Sequence, residues 1–411
     1  MASVTETTYA YVGKDMRGKT KKGRIVSLSQ SAAVMRLQGR GIAVESISEA
    51  PSGGLNTEIK IPGLGENHAG LKDIAVMARQ MATMISSGLS LIRTLNILVG
   101  QTENEELAQT LAVVRADVET GQSLSDALAK HPVIFPLLMI NLVRAGETGG
   151  FLDESLMAVA DNFESEVKLR GKVKSAMTYP IVVLGIAVLA VIVMLVFIVP
   201  VFKEMFANND GELPIPTQIL VMLSEAMVYI IPVSIVLIIV FTMWWRKNKH
   251  TDKVRKVVDD YKLRLPIFGE LFRKIAVARF CRNLSTMVKS GVPLLQSLHI
   301  VGETSGNYML EQAVHRVVDS VRQGRSLSAP MMNEPIFPSM VSQMISVGED
   351  SGSLETMLEK VADFYDDEVE TATDSLTAML EPLLVGFLGA VVGGMLISLY
   401  MPIFSLMDTV K

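Results

Sequence analysis

Lys174-SAMTYPIVVLGIAVLAVIVMLVFIVPVF-Lys203 places 28 residues without a charge between two lysines. A helix needs about 20 apolar residues to cross a bilayer core, so this run reads as a membrane span. Two more runs share the property: 20 uncharged residues lie between Glu225 and Arg246, and 26 between Glu381 and Asp408. None of the chain's 38 basic and 43 acidic side chains falls inside the three stretches. Mean hydropathy is +0.36, too high for an ordinary soluble protein. The pattern predicts a polytopic membrane protein with three transmembrane helices.

Other classes are disfavoured by composition. A net charge of -5 over 411 residues offers no basic surface for nucleic acid. One cysteine, Cys281, forbids an internal disulfide framework, and the five histidines never cluster at metal-ligand spacing. The N-terminus lacks the positive and apolar regions of a cleaved signal. Six per cent aromatics with 25 methionines suits helix packing.

Charges at the flanks set an expected orientation. Lys168, Arg170, Lys172 and Lys174 precede the first span, and Arg246, Lys247 and Lys249 follow the second. The segment joining those spans holds Lys203 against Glu204, Asp210, Glu212 and Glu225. The positive-inside rule puts the N-terminus and the segment after span two in the cytoplasm, and the C-terminus outside. Trp244-Trp245 fits an interfacial belt beside Arg246.

The chain also repeats itself. Arg79–Leu91 (RQMATMISSGLSL) reads against Arg282–Leu294 (RNLSTMVKSGVPL), and Gly121-QSLS against Gly324-RSLS, both at an offset of 203. From Phe135-Pro136 and Phe337-Pro338 the offset is 202. It then pairs Gly146-Glu147-TG-Gly150 with Gly348-Glu349-DS-Gly352, Pro180 with Pro382, and Pro200 with Pro402. Each copy holds a cytoplasmic unit and the span after it, so the copies are parallel and span two returns the chain. Parallel repeats also build transporters.

Periodicity inside each copy is helical. Ile74, Met77, Met81, Met84 and Ile85 make one apolar stripe; Leu107, Leu111, Val114 and Val118 a second; Leu156, Val159, Phe163 and Val167 a third. Ser123 with Asp126 resembles a capping box, whereas the second copy has Ser326 and Ala329. Five or six short helices per copy are expected. The first 50 residues instead suggest strands near 9–12, 24–27 and 42–47 with a helix over 29–39, a small α/β appendage. The glycine-rich segment after it reads as a linker. Gly13-KDMR-Gly18-Lys19-Thr20 satisfies a phosphate-loop pattern, but that chemistry requires Thr20 to open a helix. Lys21-Lys22-Gly23-Arg24-Ile25-Val26 favours a strand, so a β-hairpin is expected.

The duplicated Gly-Glu-x-x-Gly motif admits two readings. One is a helix C-terminus with Gly146, and by repetition Gly348, left-handed. The other makes Glu147 with Asp153, or Glu349 with Asp350, oxygen ligands for a hard cation. Asp363, Asp366, Asp367, Glu368 and Glu370 read as a solvated helix face. No span holds an interior ionisable residue, and Glu381 stands at the cytoplasmic mouth of span three before Pro382. Gly389-x-x-x-Gly393 lets span three pack closely against another helix. No catalytic constellation is present in the sequence.

The ordered motifs carry a resemblance: the duplicated Arg…Ser-Gly-x-x-Leu start, the Gly-[Gln/Arg]-Ser-Leu-Ser step, Phe-Pro before Gly-Glu-x-x-Gly, Tyr-Pro opening span one, and Glu-Pro-Leu-Leu…Met-Pro-Ile-Phe in span three. Over residues 72 to 404, and in the N-terminal Tyr9-x-Tyr-x-Gly-x-Asp segment, the chain resembles the inner-membrane platform proteins of type IV pilus assembly and type II secretion. The family often carries an acidic residue just after the Leu91 position, where Arg93 stands here.

The resemblance implies no enzymatic activity and no cofactor. It implies coupling of a hexameric cytoplasmic ATPase to insertion or extraction of pilin-like subunits, among other inner-membrane assembly proteins, lipid and further copies of the chain. Expected boundaries are 1–50 for the α/β domain, 51–71 linker, 72–176 first bundle, 177–203 span one and 204–223 external loop. Then come 224–245 span two, 246–375 second bundle, 376–407 span three and 408–411 tail. The competing readings are a transporter or channel, which needs polar residues lining the spans, and a membrane ATPase resting on Lys19.

Overall fold

The computed structural model describes residues 7–15, 20–27, 30, 33–34, 42–49, 68–207, 214–249 and 251–409. The chain divides into two units, Met1–Asn67 and His68–Lys411.

In the first unit, β1 (Thr7–Asp15), β2 (Thr20–Ser27) and β3 (Ile42–Glu49) form an antiparallel sheet in the order β2-β1-β3. Lys14 pairs with Thr20 and Gly13 with Lys21. Thr20 therefore opens a strand rather than the helix that a phosphate loop requires. Gln30, Ala33 and Val34 are helical. The rest of the helix expected over 29–39, Lys19, and residues 51–67 of the expected linker lie outside the described residues.

The second unit is helical. Its first repeat contains α1 (Leu71–Ser86), α2 (Leu91–Gln101), α3 (Glu105–Glu119), α4 (Leu124–Ala129), α5 (Leu137–Gly149) and α6 (Leu152–Val193). A single π turn, Met194–Ile198, leads to α7 (Val199–Ala207). Pro200, which has no N–H for the carbonyl four residues back, accounts for that irregular turn. The return helix is α8 (Ile215–Asn248). The second repeat follows α9 (Asp252–Arg264) as α10 (Phe268–Lys289), α11 (Leu294–Thr304), α12 (Tyr308–Arg322), α13 (Ser328–Met331), α14 (Ser339–Ser351) and α15 (Leu354–Thr409).

Starts and stops recur at the sequence offsets. Asn104 Oδ1 accepts from Leu107 N–H at 3.0 Å, and Asn307 Oδ1 from Met309 and Leu310 N–H at 2.9 and 3.1 Å. Ser123 Oγ caps Asp126 N–H at 3.1 Å. The left-handed glycines pair as Gly88 with Gly291, Gly121 with Gly324, and Gly150 with Gly352. The stripes predicted from periodicity are buried along Ile74, Met77 and Met81, along Leu107, Leu111 and Val114, and along Leu156, Val159 and Phe163.

The Gly-Glu-x-x-Gly turns correct one expectation. The left-handed caps are Gly150 at φ 78° and Gly352 at φ 69°, whereas Gly146 and Gly348 lie inside α5 and α14. The earlier glycine serves a close approach instead. A Cβ on Gly146 would lie 2.6 Å from Ser155 Cβ and 3.0 Å from Leu152 Cα, and one on Gly348 2.9 Å from Leu354 Cα.

Both repeats share one hydrophobic core, running from Ile74 to Phe163 and from Ala276 to Tyr365. The expected limits at 176/177 and 375/376 fall inside α6 and α15, each of which runs without a break from bundle to span. Helix also occupies both ends of the expected 204–223 loop. Lys203 on α7 and Glu225, three turns into α8, which bound the uncharged runs in the sequence, form an ion pair at 2.5 Å.

Candidate functional site: the seam between the repeats

Each repeat clamps its long helix with one arginine. Arg79 on α1 donates to Asp161 at 2.5 Å and to Glu164 at 2.7 Å on α6. Arg282 on α10 donates to Asp363 at 2.9 Å and Asp366 at 2.6 Å on α15. The residues correspond across the repeat, but their surroundings do not. The Arg79 hydrogen bond holds the Glu164 carboxyl below its ordinary value. Burial pushes the corresponding Asp366 carboxyl up despite its Arg282 partner, with Asp363 and Asp367 adding repulsion.

The difference arises because the second clamp lies beneath the first repeat. On α6, Asn162 is 2% exposed and its Nδ2 donates to Asn283 Oδ1 at 3.0 Å and to Thr286 Oγ1 at 3.3 Å on α10. One turn along, Glu166 meets Arg279 at 3.0 Å. Burial, opposed by Glu166, pushes the Arg279 guanidinium below its usual value. Lys172 pairs with Glu370 on α15. Toward the membrane, Leu169, Val173 and Met177 pack on Leu271, Val369 and Leu376. The ridge of α6 therefore sits in the groove between α10 and α15.

Beside this seam, a polar cleft of about 340 Å³ is lined by Lys168, Lys172, Arg282, Asp363, Asp366 and Glu370. A neighbouring one of about 400 Å³ reaches Asp161, Asn162, Lys289 and Glu359. The seam joins α6 and α15, each of which continues into a stretch long and apolar enough to cross a membrane. Sequence reading missed it. Asn162 and Asn283 are not equivalent positions of the two repeats, and no periodic signal links them.

The singled-out glutamates have a structural partner. Glu147 accepts from Leu124 and Ser125 N–H at 2.5 and 3.0 Å, and Glu349 from Leu327 and Ser328 N–H at 2.5 and 2.9 Å. Each carboxylate thus takes the bare N–H groups at a short helix start, where negative charge is favoured. Asp153 lies exposed in the first turn of α6. Among the described residues no group of three or more His, Cys, Asp or Glu could hold a metal ion.

The spans meet at one end. Leu195, Val199, Leu220, Val221, Met395 and Leu399 form a small cluster. Thr217 Oγ1 donates to Ser398 O and Ser224 Oγ to Leu195 O, both at 2.5 Å. The most apolar stretch of α8 buries nothing within the chain. A Cβ added at Gly389 or Gly393 would meet no atom within 4 Å. Pro180 is buried on α6, while Glu381 and Pro382 are exposed on α15.

The pattern of type II secretion system protein F matches residues 77–200 and again 280–402, one match per repeat. The N-terminal domain pattern of the same protein matches residues 1–48. The chain is 42% identical over 406 residues to the type IV pilus assembly protein PilC of Myxococcus xanthus, covering 98% of this chain and 96% of that one. It is 42% identical to PilC of Thermus thermophilus over 98% and 99% of the two chains. It is 32% identical to the type II secretion system protein F of Xanthomonas campestris, again over 98% and 99%.

Proposed function

The chain belongs to the type II secretion system protein F family, and we propose that within it the seam carries movement from a cytoplasmic ATPase to the membrane spans. Its membership and three apolar helices make it a multi-pass inner-membrane protein with a platform role in pilus assembly or secretion. The family is one of platform proteins rather than enzymes, and its role implies contact with the assembly machinery.

The finer reading rests on one observation: α6 and α15 each run unbroken from the shared bundle core into a span. A hexameric assembly ATPase docked on residues 72–176 and 246–375 would move the two spans through these helices. The apolar helices of pilin-like subunits would lie against the bare faces of α8 and α15, where Gly389 and Gly393 leave room for close approach. The flanking lysines and arginines favour a cytoplasmic N-terminus and an external C-terminus.

Deleting 247–375 while keeping the spans should abolish assembly or secretion and leave the ATPase's own basal turnover unchanged. Lys19→Ala should leave both intact. Hydrolysis of ATP by the purified chain, stopped by Lys19→Ala, would place the motor in this chain and overturn the reading.

A further inference from the structure

The helix that follows span two exposes apolar residues and tucks charged ones inward. On α9, Arg255 meets Glu311 of α12 at 2.6 Å, and Asp259, 6% exposed, accepts the Tyr308 N–H at 3.0 Å. On the outer side Val257 and Tyr261 are 68% and 66% exposed, and Ile267, just beyond the helix, is 46% exposed. A helix whose outer side faces water carries polar residues there. Lys253, Lys256 and Arg264 stand around Val257 and Tyr261 at helical spacing, all exposed. Arg264 holds Asp260 at 3.0 Å, whereas Lys253 and Lys256 pair with no carboxylate among the described residues.

Both ends of α9 are tied to the level at which the chain enters the membrane. Three residues separate its first residue, Asp252, from Asn248 at the end of α8, and Trp244 and Trp245 lie one turn before that end. At the other end three residues lead from Arg264 to Phe268. Phe268 and Leu271 share a cluster with Met177, Leu376 and Leu380, beside the starts of the uncharged runs of spans one and three. A helix of 13 residues is about 20 Å long. Held at this level at both ends, it runs along the bilayer surface and not away from it. Residues 246–264 also hold eight basic and three acidic side chains, in a chain whose net charge is -5.

We propose that α9 lies in the headgroup layer and that its outer face binds anionic phospholipid. Val257, Tyr261 and Ile267 enter the apolar boundary beneath the headgroups. Lys253, Lys256 and Arg264 lay their apolar stems along the same boundary and carry their charges to lipid phosphates. Each cation held at an anionic surface contributes about 1 kcal/mol, and salt screens the attraction. The contact lies outside the three spans and selects for headgroup charge, which the uncharged spans do not. It needs only the chain and a bilayer, so it stands apart from the ATPase reading.

The test places the full-length chain in nanodiscs, with Cys281→Ser and with Val257→Cys carrying an environment-sensitive dye. The discs contain phosphatidylcholine alone or phosphatidylcholine with phosphatidylglycerol, each with a trace of acyl-chain spin-labelled lipid as quencher. Quenching should be at least about threefold stronger with phosphatidylglycerol and should fall as salt rises. The same dye at Glu355→Cys, in the exposed first turn of α15 far from its span, should stay unquenched in both. Lys253→Glu with Lys256→Glu should remove the preference for phosphatidylglycerol, and Lys253→Arg with Lys256→Arg should keep it. Equal quenching of Val257→Cys in the two lipids overturns the proposal. Quenching in neither also overturns it, and assigns the face to a protein partner. A preference that survives the double charge reversal overturns it too, because the two lysines would not be reading the headgroup.

Discussion

Glu147 and Leu124 are 23 residues apart in sequence, yet the Glu147 carboxylate accepts the Leu124 N–H at 2.5 Å, and the second repeat reproduces the bond between Glu349 and Leu327. An acid near the end of one helix completes the cap of a short helix elsewhere, taking the Leu124 and Ser125 N–H groups while Ser123 takes that of Asp126. Glu147→Gln keeps one acceptor and presents an NH₂ to the other N–H. It should lower bundle stability by about 1–2 kcal/mol, and Glu147→Ala by about 2–3 kcal/mol. Thermal unfolding of the full chain in detergent measures both, and an unchanged Glu147→Ala would refute the cap.

The two glycines of the turn should fail for different reasons. Gly146→Ala collides with Ser155, so the second change Ser155→Gly should recover part of the loss. Gly150→Ala meets no atom within 4 Å but must hold φ near 78°, costing about 1 kcal/mol that no neighbouring change restores. Equal rescue of both by Ser155→Gly would contradict the assignment.

Acid should act oppositely on the two clamps. Glu164 has a depressed folded value, so its contribution is present above the ordinary range near 4.5 and fades as pH falls through the folded value. Asp366 has a raised value, so the folded state binds the proton more tightly and its burial cost fades on acidification. Between pH 6 and 4, Glu164→Gln should reduce the acid sensitivity of unfolding and Asp366→Asn should increase it. Identical pH profiles for the two variants would contradict the assigned environments.

Across the seam, Asn162→Ala and Asn283→Ala should each destabilise the chain, and together cost less than their sum. The coupling should be about 0.5–1.5 kcal/mol, since they share one buried hydrogen bond. Strict additivity in unfolding measurements would mean that the bond contributes nothing.

Spans, repeat and helix stripes were legible because each obeys a period: about 20 apolar residues, an offset near 203, or a stripe at helical spacing. Gly146 was misassigned because sequence does not distinguish a glycine chosen for backbone angle from one chosen for close approach. The seam was illegible because it joins non-equivalent faces of the two copies. Its trace lay in their differences, where Leu169 and Val173 face Thr371 and Ser375 in the alignment. An apolar residue kept in one copy and polar in the other marks the face that is covered. Nothing in the charge pattern announced that Lys203 and Glu225 would pair.

The central claim is that movement across the Asn162–Asn283 contact links the ATPase to the spans. A reversible disulfide between Asn162→Cys and Asn283→Cys, in a Cys281→Ser chain replacing the native copy, tests it directly. With the bond formed, filament assembly or secretion should stop while the ATPase continues to turn over, and reduction should restore output. Full assembly or secretion with the seam locked would contradict the account, because the two repeats would then be a fixed scaffold.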